Sequence, residues 1–203
     1  MLEVFIQAFV LYFVVIDPIG NTPIFISITQ SQNEKEKYQT AIEGVIIATI
    51  VLITFSIIGQ LLLSYLNVSL ESFRIAGGII LFLIAIEMLF NKRQERKEKI
   101  LDQTNDKLSI FPLAIPLLAG PAAITSVIVI ATKYQGDIIL QSVSLLGLVM
   151  VMLITLLFFL LLAKSDKFLK KNITNIISRV IAIILAALSI QYIIDGLLIL
   201  FKI

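Results

Sequence analysis

Cysteine, histidine and tryptophan are all absent from this chain of 203 residues. Without the first two there is no disulfide, no thiol nucleophile, no Cys/His zinc site and no histidine-based triad. The most common proton shuttle is missing as well, so any proton coupling must use carboxylates, lysine, tyrosine or water. Charge is sparse: 15% of residues are charged and the formal net charge is +2, too little to suggest a nucleic-acid partner. No GxxxxGK[ST] loop is present to cradle a nucleotide. The sequence points to no metal, no cofactor and no enzyme.

What fills the chain instead is apolar. Hydrophobic residues make up 59% of it and the mean hydropathy is +1.02, against roughly 45–50% apolar in soluble domains. Apolar runs of about 20 residues recur, each long enough to cross a hydrocarbon core roughly 30 Å thick. Lipid leaves no water to satisfy the backbone, so such runs must be helices or closed barrels. Stretches such as 45–58 and 147–162 lack the alternation of a barrel strand. The expected fold is all-α, with helices over 2–30 (interrupted), 41–66, 72–90, 108–132 (interrupted), 138–163 and 175–201. The N-terminal run lacks a basic region and a small-residue cleavage site, so it reads as a retained first span.

Thirteen of the sixteen basic residues lie in segments 31–40, 91–107 and 164–179. The positive-inside rule places those loops in the cytoplasm and both termini outside, in a cell membrane. Segment 91–107 is charged and unpatterned, and reads as a linker inside one membrane domain spanning 1–203. It separates residues 1–90 from 108–203.

The two halves echo each other. Setting Pro18 on Pro116 also sets Pro23 on Pro121, and brings Ser27 onto Thr125. Arg74 with its apolar run likewise falls on Arg179. Three helices per half make the second half enter the membrane from the opposite face, which is an inverted repeat of the kind found in transporters. Proline removes a backbone donor and clashes with the preceding turn. Paired prolines around Gly20 and Gly120 should therefore break helices one and four. Exposed backbone at membrane depth needs protein or water around it, so the breaks are expected to face a polar cavity or form re-entrant loops. Simple kinks in packed helices are the plainer alternative.

Asp17 falls near mid-membrane, where a carboxylate costs roughly 2.5–3.5 kcal/mol. It reads either as a protonatable or cation-coordinating group, or as a cap for amides freed beyond Pro18. Asn21 and Thr22 suit a substrate carboxylate at an open helix start, or else satisfy the broken backbone. Gly120, Thr125 and Ser126 are the equivalents in the second half. Gln191, Glu87 and Asp195 are secondary cavity candidates. Arg74 and Arg179 read as interfacial anchors, Glu43 as an acid at the start of helix two, and Gly77–Gly78 as a close helix contact.

IDPIGNTPIFIS (16–27), RIAGGIILFLIAIEMLF (74–90), PLAIPLLAGPAAITS (112–126) and RVIAIILAALSIQYIIDGL (179–197) resemble the MarC family of integral membrane proteins. The likeness covers nearly the whole chain outside the middle loop. Ala122 stands where the family's second motif often has glycine, which stiffens the second break. The resemblance implies a six-helix protein akin to lysine-exporter-type transporters, and carriage of small neutral amino acids such as alanine and glycine. It also implies that Asp17, Pro18, Gly20, Asn21, Pro23, Gly120 and Pro121 line the pathway.

The leading expectation is a secondary exporter of a small neutral solute, driven by protons or Na+, with membrane lipid as its other partner. A channel or a non-transporting scaffold is the alternative. An intramembrane aspartyl enzyme would need a second acid beside Asp17, and Glu87 and Asp195 fall near opposite faces.

Overall fold

The computed structural model describes residues 1–90, 92, 109–164 and 171–201. They form eight helices: α1 (Leu2–Ile16), α2 (Thr22–Ile28), α3 (Glu34–Tyr65), α4 (Leu70–Leu89), α5 (Ser109–Leu118), α6 (Pro121–Lys133), α7 (Ile138–Lys164) and α8 (Lys171–Phe201). No strand occurs among the described residues. Four helices are long and apolar enough to cross a membrane: α3, α4, α7 and the Ile177–Phe201 part of α8. α1 and α6 are shorter apolar helices, about 22 and 20 Å long at 1.5 Å per residue.

All five prolines lie in the two interrupted segments, 16–23 and 112–121. Pro23 and Pro121 open α2 and α6, where a missing N–H is harmless. Ahead of α6, α5 is wound as a π-helix, and the Ala119 amide reaches back five residues to the Ala114 carbonyl at 2.8 Å. Pro112 and Pro116 cannot donate in an ordinary helical ladder, and a π turn is a common way to absorb such a fault.

Polar starts account for the other helix boundaries. Asn33 and Glu36 form a reciprocal capping box at the head of α3, with bonds of 3.0 and 2.9 Å. That box nucleates two further turns, so residues 34–40 are helix rather than loop and Glu43 sits within α3 instead of opening it. α8 likewise begins at Lys171, inside the expected loop 164–179. The expected linker 91–107 falls outside the described residues, Lys92 excepted.

α4 and α8 make the most extensive contact. They run antiparallel: Gly78 abuts Ser189 and Ile193, and Gly196 abuts Ile75 and Glu71. Gly77 lets Thr125 of α6 approach α4. α7 packs on α1 and α2, α3 packs on α5 and α6, and α3 also packs on α7. α4 meets α6, α8 meets α1, and α1 meets α6. Phe25 of α2 stacks on Phe159 of α7 with centroids 4.5 Å apart. The core comprises residues such as Leu11, Leu52, Leu81, Leu148 and Leu185, while Ile46, Ile50, Leu61, Leu153 and Leu157 point outward. Such an apolar exterior on long helices fits lipid as solvent.

Candidate functional site

The first break is built from its own side chains. Asp17 ends α1 in the left-handed conformation (φ 55°, ψ 65°) and is buried. Its Oδ1 accepts from the Gly20 amide at 2.9 Å. That amide would serve the Ile16 carbonyl in a continuous helix. Asn21 Nδ2 donates to Ile16 O instead, at 2.7 Å. Thr22 Oγ1 donates to Pro18 O at 3.3 Å. A Cβ on residue 20 would run into the Asp17 carboxylate, so a side chain there would push that carboxylate off the Gly20 amide. Asp17, Pro18, Asn21 and Thr22 are all buried, as is expected of polar groups that have partners.

The second break is plainer. Gly120 is an extended N-cap with no side chain to offer, Ser126 Oγ donates back to Ala122 O at 2.7 Å, and Thr125 packs its methyl on Gly77. Glu87 is half-buried near the end of α4. The antiparallel register sets Glu71 level with Gly196, so Glu87 stands roughly 24 Å along the bundle from Asp195. Those two acids share no site. By sequence Glu87 could pair with Lys92 or Arg93, of which Arg93 lies outside the described residues.

A cavity of about 320 Å³ opens between α1, α6 and α8, at the end of the bundle where the chain both starts and finishes. Its polar lining is Gln7, Lys133, Gln191, Tyr192 and Asp195, over aliphatic side chains including Leu11 and Leu188. Gln7 Oε1 accepts from Lys133 Nζ (3.2 Å) and Tyr134 Oη (3.1 Å). Gln191 Nε2 donates to Asp195 Oδ1 at 2.7 Å. Asp17 follows Leu11 by about 9 Å along the chain axis, and Ser126 precedes Ile130, another lining residue, by about 6 Å. The cavity therefore lies one to two turns from both breaks. None of the break residues lines it.

Nothing in their sequence surroundings marks Gln7, Lys133 and Tyr192 for the cavity. Arg74, in the second turn of α4, is buried in the protein. The signal is legible in hindsight, because Arg74 shares a helical face with Gly77 and Gly78. Arg179 is exposed and lies well inside α8.

The family model for MarC family integral membrane proteins matches residues 2–201. The chain belongs to this family. Its curated relatives include a UPF0056 membrane protein of Methanocaldococcus jannaschii, 36% identical over 97% of both chains. Another, from Archaeoglobus fulgidus, is 33% identical over 97% of this chain and 93% of the relative. The Escherichia coli UPF0056 membrane protein YhcE is 30% identical over 96% and 92%. No solved structure matches. Membership makes the chain an integral membrane protein, in keeping with its several apolar helices.

Proposed function

We propose that this MarC family protein is a secondary carrier, working as an exporter, for a small neutral solute such as an amino acid. The observation that carries this reading is the pair of proline–glycine interruptions at matching places in the two halves. On this reading α1 with α2, and α5 with α6, are two broken spans, giving six spans in two inverted sets of three. The helix contacts support it, because they are exchanged in kind between halves. α7 on α1 and α2 mirrors α3 on α5 and α6, while α4 on α6 mirrors α8 on α1. The basic segments then face the cytoplasm and the cavity opens outward. The breaks form the narrow part of the route, and Asp17, held at mid-depth, is the group that couples it to protons or Na+.

The test is uptake of labelled alanine and glycine by proteoliposomes under an imposed proton or Na+ gradient. Gradient-driven accumulation is expected, with Asp17→Asn uncoupled from the gradient. Wild-type coupling in Asp17→Asn would remove that residue from the mechanism. Gradient-independent flux would favour a channel, and no flux a scaffold.

A further inference from the structure

The outer side of the bundle holds a second hollow. Between α3 and α7, a groove of about 220 Å³ is lined by Ile46, Thr49 and Ile50 on one side and by Val149, Leu153 and Leu156 on the other. Ile46, Ile50 and Leu153 are at least half exposed. The Thr49 hydroxyl donates back to Val45 O at 2.7 Å, so the wall presents carbon to the medium. α7 runs alongside α1 and α2: Gly147 abuts Ala8 and Phe9, and Phe159 stacks on Phe25. Lys164, which ends α7, therefore lies at the end of the bundle where α2 turns into α3, and Lys35 stands in the first turn of α3. Both lysines are exposed. Lys35 precedes Ile46 by eleven residues, and Lys164 follows Leu153 by eleven. Eleven residues make about three turns, so each lysine crowns the helix face that lines the groove.

A membrane lipid is an apolar chain hung from a charged phosphate, and the groove with its two lysines has the same order of parts. At 1.5 Å per residue the groove begins about 12 Å from Lys164, at Leu156, and ends about 22 Å from both lysines, at Val149 and Ile50. Half a bilayer with its headgroups is about 20–22 Å thick. A phosphate at the lysines would therefore lay its acyl chain along the groove and end it near the midplane. We propose that the α3–α7 groove is a phospholipid site, that it holds one acyl chain with Lys35 and Lys164 on the phosphate, and that it prefers an anionic lipid. An ammonium meets a phosphate as a point charge, and its stem can lie along apolar surface while the head stays in water. Of the acids next to Lys35, Glu36 is held by the Asn33 amide, and Glu34 looks out from a different face of the helix. A zwitterionic headgroup brings a cation that the lysines repel, and an anionic one does not. The site requires only that the chain lie in a membrane, so it stands or falls apart from the carrier reading.

The experiment is native mass spectrometry of the purified full-length protein in detergent, supplied with dioleoyl phosphatidylglycerol or dioleoyl phosphatidylcholine. One phosphatidylglycerol per chain is expected to be retained, at least fivefold above phosphatidylcholine. Thr49→Trp, which fills the groove, should lower retention of both lipids at least fivefold. Ile183→Trp, on the outward face of α8, should leave retention unchanged. Lys35→Gln combined with Lys164→Gln should bring the two lipids to parity. Equal retention of the two lipids by the wild type, or unchanged retention by Thr49→Trp, would overturn the site. So would a lipid-free dimer that Thr49→Trp turns into a monomer, which would put a second copy of the chain in the groove. If Thr49→Trp does not yield folded protein, the paired lysine substitutions decide, and a wild-type preference for phosphatidylglycerol in that variant would overturn the site.

Discussion

At the first break, polar side chains are turned onto their own backbone: Asp17 holds the Gly20 amide, Asn21 the Ile16 carbonyl and Thr22 the Pro18 carbonyl. On α4, the buried Arg74 Nε holds nothing among the described residues. The first arrangement stabilises an interrupted helix in a medium that satisfies no stray backbone group. The second is costly to the fold. One bundle thus holds buried polar groups that are satisfied beside one that is not.

Substitutions can break that contrast. The largest loss is expected for Gly20→Val, whose side chain would collide with the Asp17 carboxylate and remove its bond to the residue-20 amide. It should lose about 3 kcal/mol, read as a lowered unfolding midpoint in detergent. Arg74→Met should move the other way. Replacing a buried, incompletely hydrogen-bonded side chain by apolar volume is expected to raise stability by about 2 kcal/mol, read as a raised unfolding midpoint. Asn21→Ala strips the Ile16 carbonyl of its side-chain donor and should cost about 1–2 kcal/mol. Lys133→Gln changes an exposed rim residue and should stay within about 0.5 kcal/mol of wild type. A midpoint for Asn21→Ala equal to that of Lys133→Gln would mean that the first break does not depend on its side-chain bonds.

Much of the fold is legible from hydropathy and proline placement alone. The ends of α4, α6 and α7 fall within two residues of the boundaries expected from the sequence, because apolar runs and turn residues mark them. The start of α3 is not marked that way, since a capping box extends a helix through polar residues that a hydropathy reading assigns to water. The π winding of α5 is equally invisible to a pattern built on a period of 3.6 residues. At the site, the sequence shows that Asp17, Asn21 and Thr22 are unusual for their depth. Which way their side chains turn depends on a local fold around Gly20 that composition does not encode. The cavity is hidden for a different reason. Gln191 and Asp195 stand out in the sequence as polar residues of the last helix, but Gln7, Lys133 and Tyr192, which join them, come from three helices far apart in the chain.

The most direct measurement is the unfolding midpoint of Arg74→Met in detergent, set beside that of Asn21→Ala. The Arg74→Met midpoint should hold or rise while that of Asn21→Ala falls. A lowered midpoint for Arg74→Met with an unchanged one for Asn21→Ala would contradict the contrast, and would make Arg74 part of the scaffold.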